Sequence, residues 1–242
     1  RTLGLAVADG AGSAPLGSQG AEIATQAALG AMSARISSIA DVASVAYRAI
    51  KSESESAGVA VSDFATTLLI ARLTVTLTGI RVEVLQVGDG CIVACTHSHG
   101  QALTVPDRGE YANETYFLTS SRWAERAQIS RRTLPFDGGV LLMTDGPCAS
   151  LFNGRNNEVA AAARELVIWG RMGSRQVWAR ELQTATSTAL RKRTQDDLGL
   201  AAAVLPTIRT ILLGLSDWIS RWPSPPKGLR RPSTERGSEA LK

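Results

Sequence analysis

Three apolar, strand-like segments in this chain end on the same dipeptide. "LGLAVADG" (3–10), "VEVLQVGDG" (82–90) and "VLLMTDG" (140–146) each run into Asp-Gly. Asp-Gly is a favoured two-residue hairpin turn, so the residues after each glycine distinguish a turn from a site. Asp89-Gly90 is followed at once by another strand-like run, "CIVACTH", and a hairpin suffices there. Asp9-Gly10 instead leads into the small-residue loop "AGSAPLG" and a helical pattern, and Asp145-Gly146 leads into Pro147 and a helix-bound segment. A hairpin accounts for neither. A further acidic pair, Asp196-Asp197, stands immediately before the strand-like "LGLAAAVL". Strands lying side by side would gather these carboxylates at one end of the sheets. Several carboxylates withdrawn from water without counter-charge would each cost several kcal/mol. A divalent cation offsets that cost, and oxygen-only ligation suits Mg²⁺ or Mn²⁺ rather than zinc. The competing reading of "DGAGSAPLG" as a phosphate loop fails on spacing, because Pro15 stands where the third glycine belongs.

Charge narrows the class further. The net charge of +4 is not spread over the chain. Residues 1–206 carry 19 Lys/Arg against 19 Asp/Glu, and residues 207–242 carry seven against three. A neutral body has no electrostatic footprint for nucleic acid. With 242 residues, 44% of them hydrophobic, the chain can close a large core. It has no uninterrupted apolar stretch of membrane-spanning length and no secretory-signal pattern. Three cysteines, an odd number, do not suggest a disulfide framework. Cys91 and Cys95 would lie about 13 Å apart along a strand, too far to bridge. The chain reads as cytoplasmic.

Periodicity gives the order of elements. A helical pattern covers "SQGAEIATQAALGAMSARISSI", with Ser18 as candidate N-cap, and a second starts at Asp41, "DVASVAYRAIKSESE". "SESES" (52–56) reads as a solvated loop. "FATTLLIARLTVTL", "IRVEVLQVG", "CIVACTH" and "ALTV" come next as β-branched and apolar runs with short turns, an antiparallel meander. Residues 106–138 read as polar and irregular. The strand "GGVLLMTDG", two helical stretches, "NNEVAAAARELVIWG" and "SRQVWARELQTATSTALRK", and the last strand complete the body. Helix pairs before and after antiparallel strands imply helices layered on sheets. Beyond Pro206, Ile208, Ile211, Leu212, Leu215, Trp218, Ile219 and Trp222 form an apolar helical stripe over 206–222. Docking of that stripe on its own domain ranks ahead of a partner or a membrane surface. Residues 223–242 are Pro-rich and basic, the composition of a disordered tail.

"VADGAGS" with "GAEIAT", "FATTLLIARL", "LQVGDG", "GEYANETYFLTS", "VLLMTDG" and "DDLGLAAAV" occur in the order found in the protein phosphatase 2C family. Over residues 3–205 the chain resembles the bacterial branch of these metal-dependent, PPM-type serine/threonine phosphatases. The resemblance implies an α+β fold, an αββα sandwich of two antiparallel sheets flanked by helix pairs, over a domain taken as 1–205. It also implies two Mn²⁺ or Mg²⁺ ions between the sheets. By the same resemblance Asp9 matches the bridging ligand, Gly10 the residue whose carbonyl binds metal, and Asp145 and Asp196 further ligand aspartates. Asp89 matches the position that holds a third metal in some members, with the hairpin reading standing equally beside it. The implied function is a monomeric phosphatase acting on phosphoproteins, the targets of a serine/threonine kinase. Metal-bound hydroxide would be the nucleophile, and no side chain would attack.

The chain departs from the family in three places. The opening segment with a phosphate-binding arginine and a further acidic ligand, Arg…Asn-(Glu/Gln)-Asp, has no counterpart before Asp9, and Arg1 is not given that role. Ala11 stands where some members have a histidine, and Ala149 where many relatives have an acid. These departures keep open a second reading, a phosphatase-like module that binds without hydrolysing. Cys95, His97 and His99 alternate at a spacing that suits zinc, but "THSHG" reads better as a strand end and turn. Arg131 and Arg132 read as surface residues ahead of substrate contacts.

Overall fold

The strand-forming runs are apolar on both faces, and the structure uses both. It is a computed structural model that describes residues 2–107, 115–172, 175–191 and 197–204. Strand β1 (Thr2–Val7) is followed by helices α1 (Gly17–Ser33) and α2 (Ile39–Ala57). Strands β2 (Leu68–Val75), β3 (Ile80–Val87), β4 (Cys91–Cys95) and β5 (Gly100–Thr104) come next, then the short helix α3 (Trp123–Arg126). After it lie β6 (Gln128–Leu134), β7 (Gly139–Met143), helix α4 (Asp145–Leu151) and the small hairpin of β8 (Phe152–Asn153) and β9 (Glu158–Val159). Helices α5 (Ala161–Met172) and α6 (Arg175–Thr184) precede the last strand, β10 (Leu200–Val204).

Among the described residues, one antiparallel sheet has the order β1-β2-β3-β6 and a second has the order β10-β7-β4-β5. Side-chain alternation along the strands builds the layers. On β2, Leu68 and Ile70 face α1 and α2, packing with Ala24, Ala28, Val42 and Ile50. Leu69, Ala71 and Leu73 of the same strand face the second sheet, meeting Ile92, Val140 and Leu142. On β4 and β7, Cys91, Val93, Leu141 and Met143 point the other way, onto Leu151, Leu166 and Val167 of α4 and α5. Helix pair, sheet, sheet and helices therefore stack in the αββα order, with an apolar seam at each contact. Each fully buried Leu, Ile or Val contributes about 1.5–3 kcal/mol, so the strands buried on both faces carry most of the stability.

Several local expectations are corrected. Helix α1 begins at Gly17 with Leu16 in the N-cap position, so Ser18 lies inside the first turn. Helix α2 begins before Asp41, at Ile39, because the Ser38 side chain accepts a hydrogen bond from the Ala40 amide at 3.2 Å. It also runs through "SESES": Ser54 is buried and donates back to the Lys51 carbonyl, and only Gly58, at φ 68°, ends the helix. The segment expected to be irregular contains β6, whose exposed Arg131, Arg132 and Thr133 conceal an edge strand; charged edges resist further pairing. "NNEV" forms β9 and its turn rather than a helix start. The strands are not a meander throughout, because β3 and β4 belong to different sheets. The stripe from Ile208 to Trp222 and the tail beyond it lie outside the described residues. Among those that are described, no helix is long and apolar enough to cross a membrane.

Candidate active site

The two strand ends that a hairpin could not explain meet. The Thr144 amide donates to the Gly199 carbonyl at 2.9 Å, and the Gly199 amide donates to Thr144 Oγ1 at 3.0 Å. A Cβ on Gly199 would lie 3.1 Å from Val7 Cγ1, so the end of β1 abuts the same place. Asp9, two residues beyond Val7, and Asp145, next to Thr144, thus emerge at one end of the sandwich, each half-buried. Gly146 permits the approach: a Cβ there would sit 2.4 Å from the Asp197 carbonyl oxygen. Asp197 itself is exposed, and Asp196 lies outside the described residues.

Asp9 is held through its backbone. Its amide donates to Thr67 Oγ1 at 2.9 Å, and its carbonyl accepts from the Thr67 amide and from Thr66 Oγ1, each at 2.9 Å. Gly10 bridges to Thr66 and packs so tightly on the start of α1 that a Cβ would be 2.2 Å from the Gly17 carbonyl carbon. The Asp145 carboxylate accepts from the Gly146 amide at 2.8 Å.

Asp89 is not in a hairpin. Its turn carries the chain from the first sheet to the second, with Gly88 at φ 116° and Gly90 pressed on the end of β7, where a Cβ would be 2.4 Å from the Met143 carbonyl oxygen. The hairpin reading falls, because an Asp-Gly turn followed by a strand need not pair that strand with the one before it. Asp89 accepts a hydrogen bond from Thr115 Oγ1 at 2.9 Å. Behind the turn lies Gln86, fully buried. Its Nε2 donates to the carbonyls of Gly88, Gly90 and Val105, and its Oε1 accepts from Thr104 Oγ1 at 2.5 Å.

Asp89 and Asp145 line one cavity of about 1010 Å³ together with Asp107, Cys148, Arg155 and Glu158. Asp107 and Glu158 escaped the sequence reading. Asp107 lies after β5 in a segment without periodicity, and Glu158 sits in a stretch read as helix. Arg131 pairs with Glu83 at 3.1 Å on the first sheet, and neither it nor Arg132 lines this cavity. Cys95 is buried while His97 and His99 are exposed, so the alternating trio does not converge.

Every candidate donor at this end is an oxygen: the carboxylates of Asp9, Asp89 and Asp145 and the Gly10 carbonyl. That chemistry fits a hard divalent cation. Among the described residues, no three His, Cys, Asp or Glu side chains stand close enough to hold one ion by themselves. The cavity is also lined by one buried thiol, Cys148, with Cys91 behind it. Cys91 and Cys148 stand with their sulfurs 3.0 Å apart. Their hydrogen bond, and then burial, hold the Cys91 thiol far above its usual range. Burial pushes Cys95 up to about 12, with Arg164 acting against it.

The model of the protein phosphatase 2C family matches residues 1–191. Serine/threonine-protein phosphatase 3 of Escherichia coli K12 is 30% identical over 226 residues, covering 84% of this chain and 83% of that protein. Among solved structures, the serine/threonine phosphatase Stp1 of Staphylococcus aureus superposes with a TM-score of 0.59 at 14% identity, over 85% of each chain. RsbX in complex with magnesium gives a TM-score of 0.53 at 17% identity, over 84% of this chain and 80% of that one. At such identities these two structures speak for the fold.

Proposed function

The chain belongs to the protein phosphatase 2C family of serine/threonine phosphatases, and from that premise we propose that its strand-end aspartates hold the cations of a metal-dependent phosphatase site. Asp9, Asp145, Asp196 and the Gly10 carbonyl are the residues that would hold Mn²⁺ or Mg²⁺, and Asp89 would hold a third ion. When bound, such ions lower the pKa of water toward neutrality and offset the charge on phosphoryl oxygens. The observation that supports this reading is the meeting of Val7, Thr144 and Gly199, the residues through which β1 and β7 lead toward Asp9 and Asp145 and from which β10 begins.

The protein's own groups supply position. Thr66 and Thr67 anchor the backbone of Asp9, and the Gly146 amide orients one Asp145 oxygen. Arg155, at the cavity shared by Asp89 and Asp145, presents a guanidinium to the phosphoryl group of an incoming phosphoserine or phosphothreonine segment. The substrate class is a phosphoprotein made by a serine/threonine kinase, and residues 1–205 form the domain that acts on it.

A phosphopeptide assay with Mn²⁺ tests this. The chain should release inorganic phosphate, a chelator should abolish the release, and Asp145→Asn should lower it by at least about tenfold, the lower end of what even an outer-shell change costs a metal site. Phosphopeptide binding without phosphate release, or release indifferent to chelator, would contradict it.

A further inference from the structure

We propose that Cys91 and Cys148 form a reversible dithiol–disulfide pair beneath the two turns that carry Asp89 and Asp145. Cys91 opens β4, directly after Asp89-Gly90, and Cys148 lies in α4, three residues after Asp145. They are 57 residues apart in sequence, yet their sulfurs are separated by 3.0 Å. A disulfide is 2.03–2.05 Å long, so closing it takes a movement of about 1 Å. Their surroundings are apolar: Val93, Leu141, Met143, Leu151 and Phe152 belong to the same cluster. Each sulfur has the other as its hydrogen-bonding partner.

Cys95 supplies an internal comparison. It lies on the same face of β4, in the same cluster, and is 1% exposed. Among the described residues it has no sulfur partner of its own. Burial and strand position are therefore shared by both β4 cysteines, and only the register with α4 distinguishes Cys91.

Access is also asymmetric. Cys91 is fully buried, whereas Cys148 lines the cavity that holds Asp89 and Asp145. A peroxide entering there meets Cys148 first. The Cys148 sulfur attacks one peroxide oxygen, the O–O bond breaks, and the products are a sulfenic acid and one water. The Cys91 sulfur then attacks the Cys148 sulfur, its proton leaves with the displaced hydroxide as a second water, and the S–S bond forms. The two thiols lose two electrons in all, and the peroxide takes them. A small dithiol reverses the change by exchange. The bond would tie the first residue of β4 to α4 and so pin both acidic turns in one register. This inference stands on the cysteine geometry and does not depend on the phosphatase reading.

The test is to treat the folded chain with hydrogen peroxide, quench with an alkylating reagent, digest without reduction and map linked peptides. The expected product is one link, Cys91 to Cys148, with Cys95 alkylated, and dithiothreitol should restore three free thiols. The cross-link should raise the melting temperature by roughly 8–16 °C over the reduced protein, as closing a loop of this length does in a protein of this size. Cys95→Ala should still form the link, and Cys148→Ala should not. If Cys148→Ala does not fold, the wild-type map decides. Three alkylated thiols, a link through Cys95, or a Cys91–Cys148 link that leaves the melting temperature unchanged or lowers it would each overturn the proposal.

Discussion

Thr67 is 4% exposed and does two jobs at once. Its hydroxyl accepts from the Asp9 amide, and its methyl group fills the space where a Cβ on Gly88 would lie, 2.5 Å away. The backbone of Asp9 and the turn before Asp89 thus lean on one side chain. Valine keeps the shape of threonine and removes the acceptor, leaving the Asp9 amide without it. Thr67→Val should therefore destabilise the fold by about 1–3 kcal/mol in urea unfolding, the cost of stripping a partner from a buried polar group. Thr67→Ser should recover most of that loss. A change for valine within about 0.5 kcal/mol, the range of an ordinary surface substitution, would mean that the hydroxyl does not hold Asp9.

The passage from β3 to β4 shows what a local reading misses. Both strands were legible as apolar runs, and so were β1, β2, β7 and β10. Strands buried on both faces read as continuous hydrophobic segments whatever sheet they join. Pairing is decided elsewhere. Gln86 lies on β3 but satisfies the carbonyls of Gly88, Gly90 and Val105 at the second sheet, and a lone glutamine inside "VEVLQVG" gives no sign of that task. Gln86→Leu would strip the Gly90 carbonyl and the Thr104 hydroxyl of the partner that Gln86 supplies, while the Gly88 and Val105 carbonyls still accept from the Asp107 amide and from Gln128 Nε2. It should cost at least about 2 kcal/mol by chemical denaturation, since each stranded group costs about 1–3 kcal/mol. An unchanged midpoint would show that the crossing stands without it. Other elements escaped for related reasons. The charges of β6 hide its strand character because they mark a sheet edge, and "SESES" joins α2 because Ser54 satisfies its own hydroxyl within the helix. The Cys91–Cys148 contact was invisible because 57 residues separate its members.

At the scale of the whole molecule, the αββα stack turns a one-dimensional pattern into a site. Three apolar seams fix the layers, and the layers bring the ends of β1, β7 and β10 together. Asp9 and Asp145 were legible as candidates because their Asp-Gly steps do not lead into a second strand, and Asp89 was legible only through the family resemblance. Thr66 and Thr67, which hold Asp9, were not, since each acts through a contact 57 or 58 residues away in sequence, and Gln86 was not, since its ties to Thr104 and Val105 cross 18 and 19 residues. The central claim is that this junction binds a divalent cation. Isothermal titration of the chelator-stripped chain with Mn²⁺ tests it most directly, comparing the wild type with Asp9→Asn and Asp145→Asn, each verified as folded. The account predicts saturable binding by the wild type that each substitution weakens by at least about tenfold. Mn²⁺ binding of equal strength in all three proteins, or none in the wild type, would contradict it.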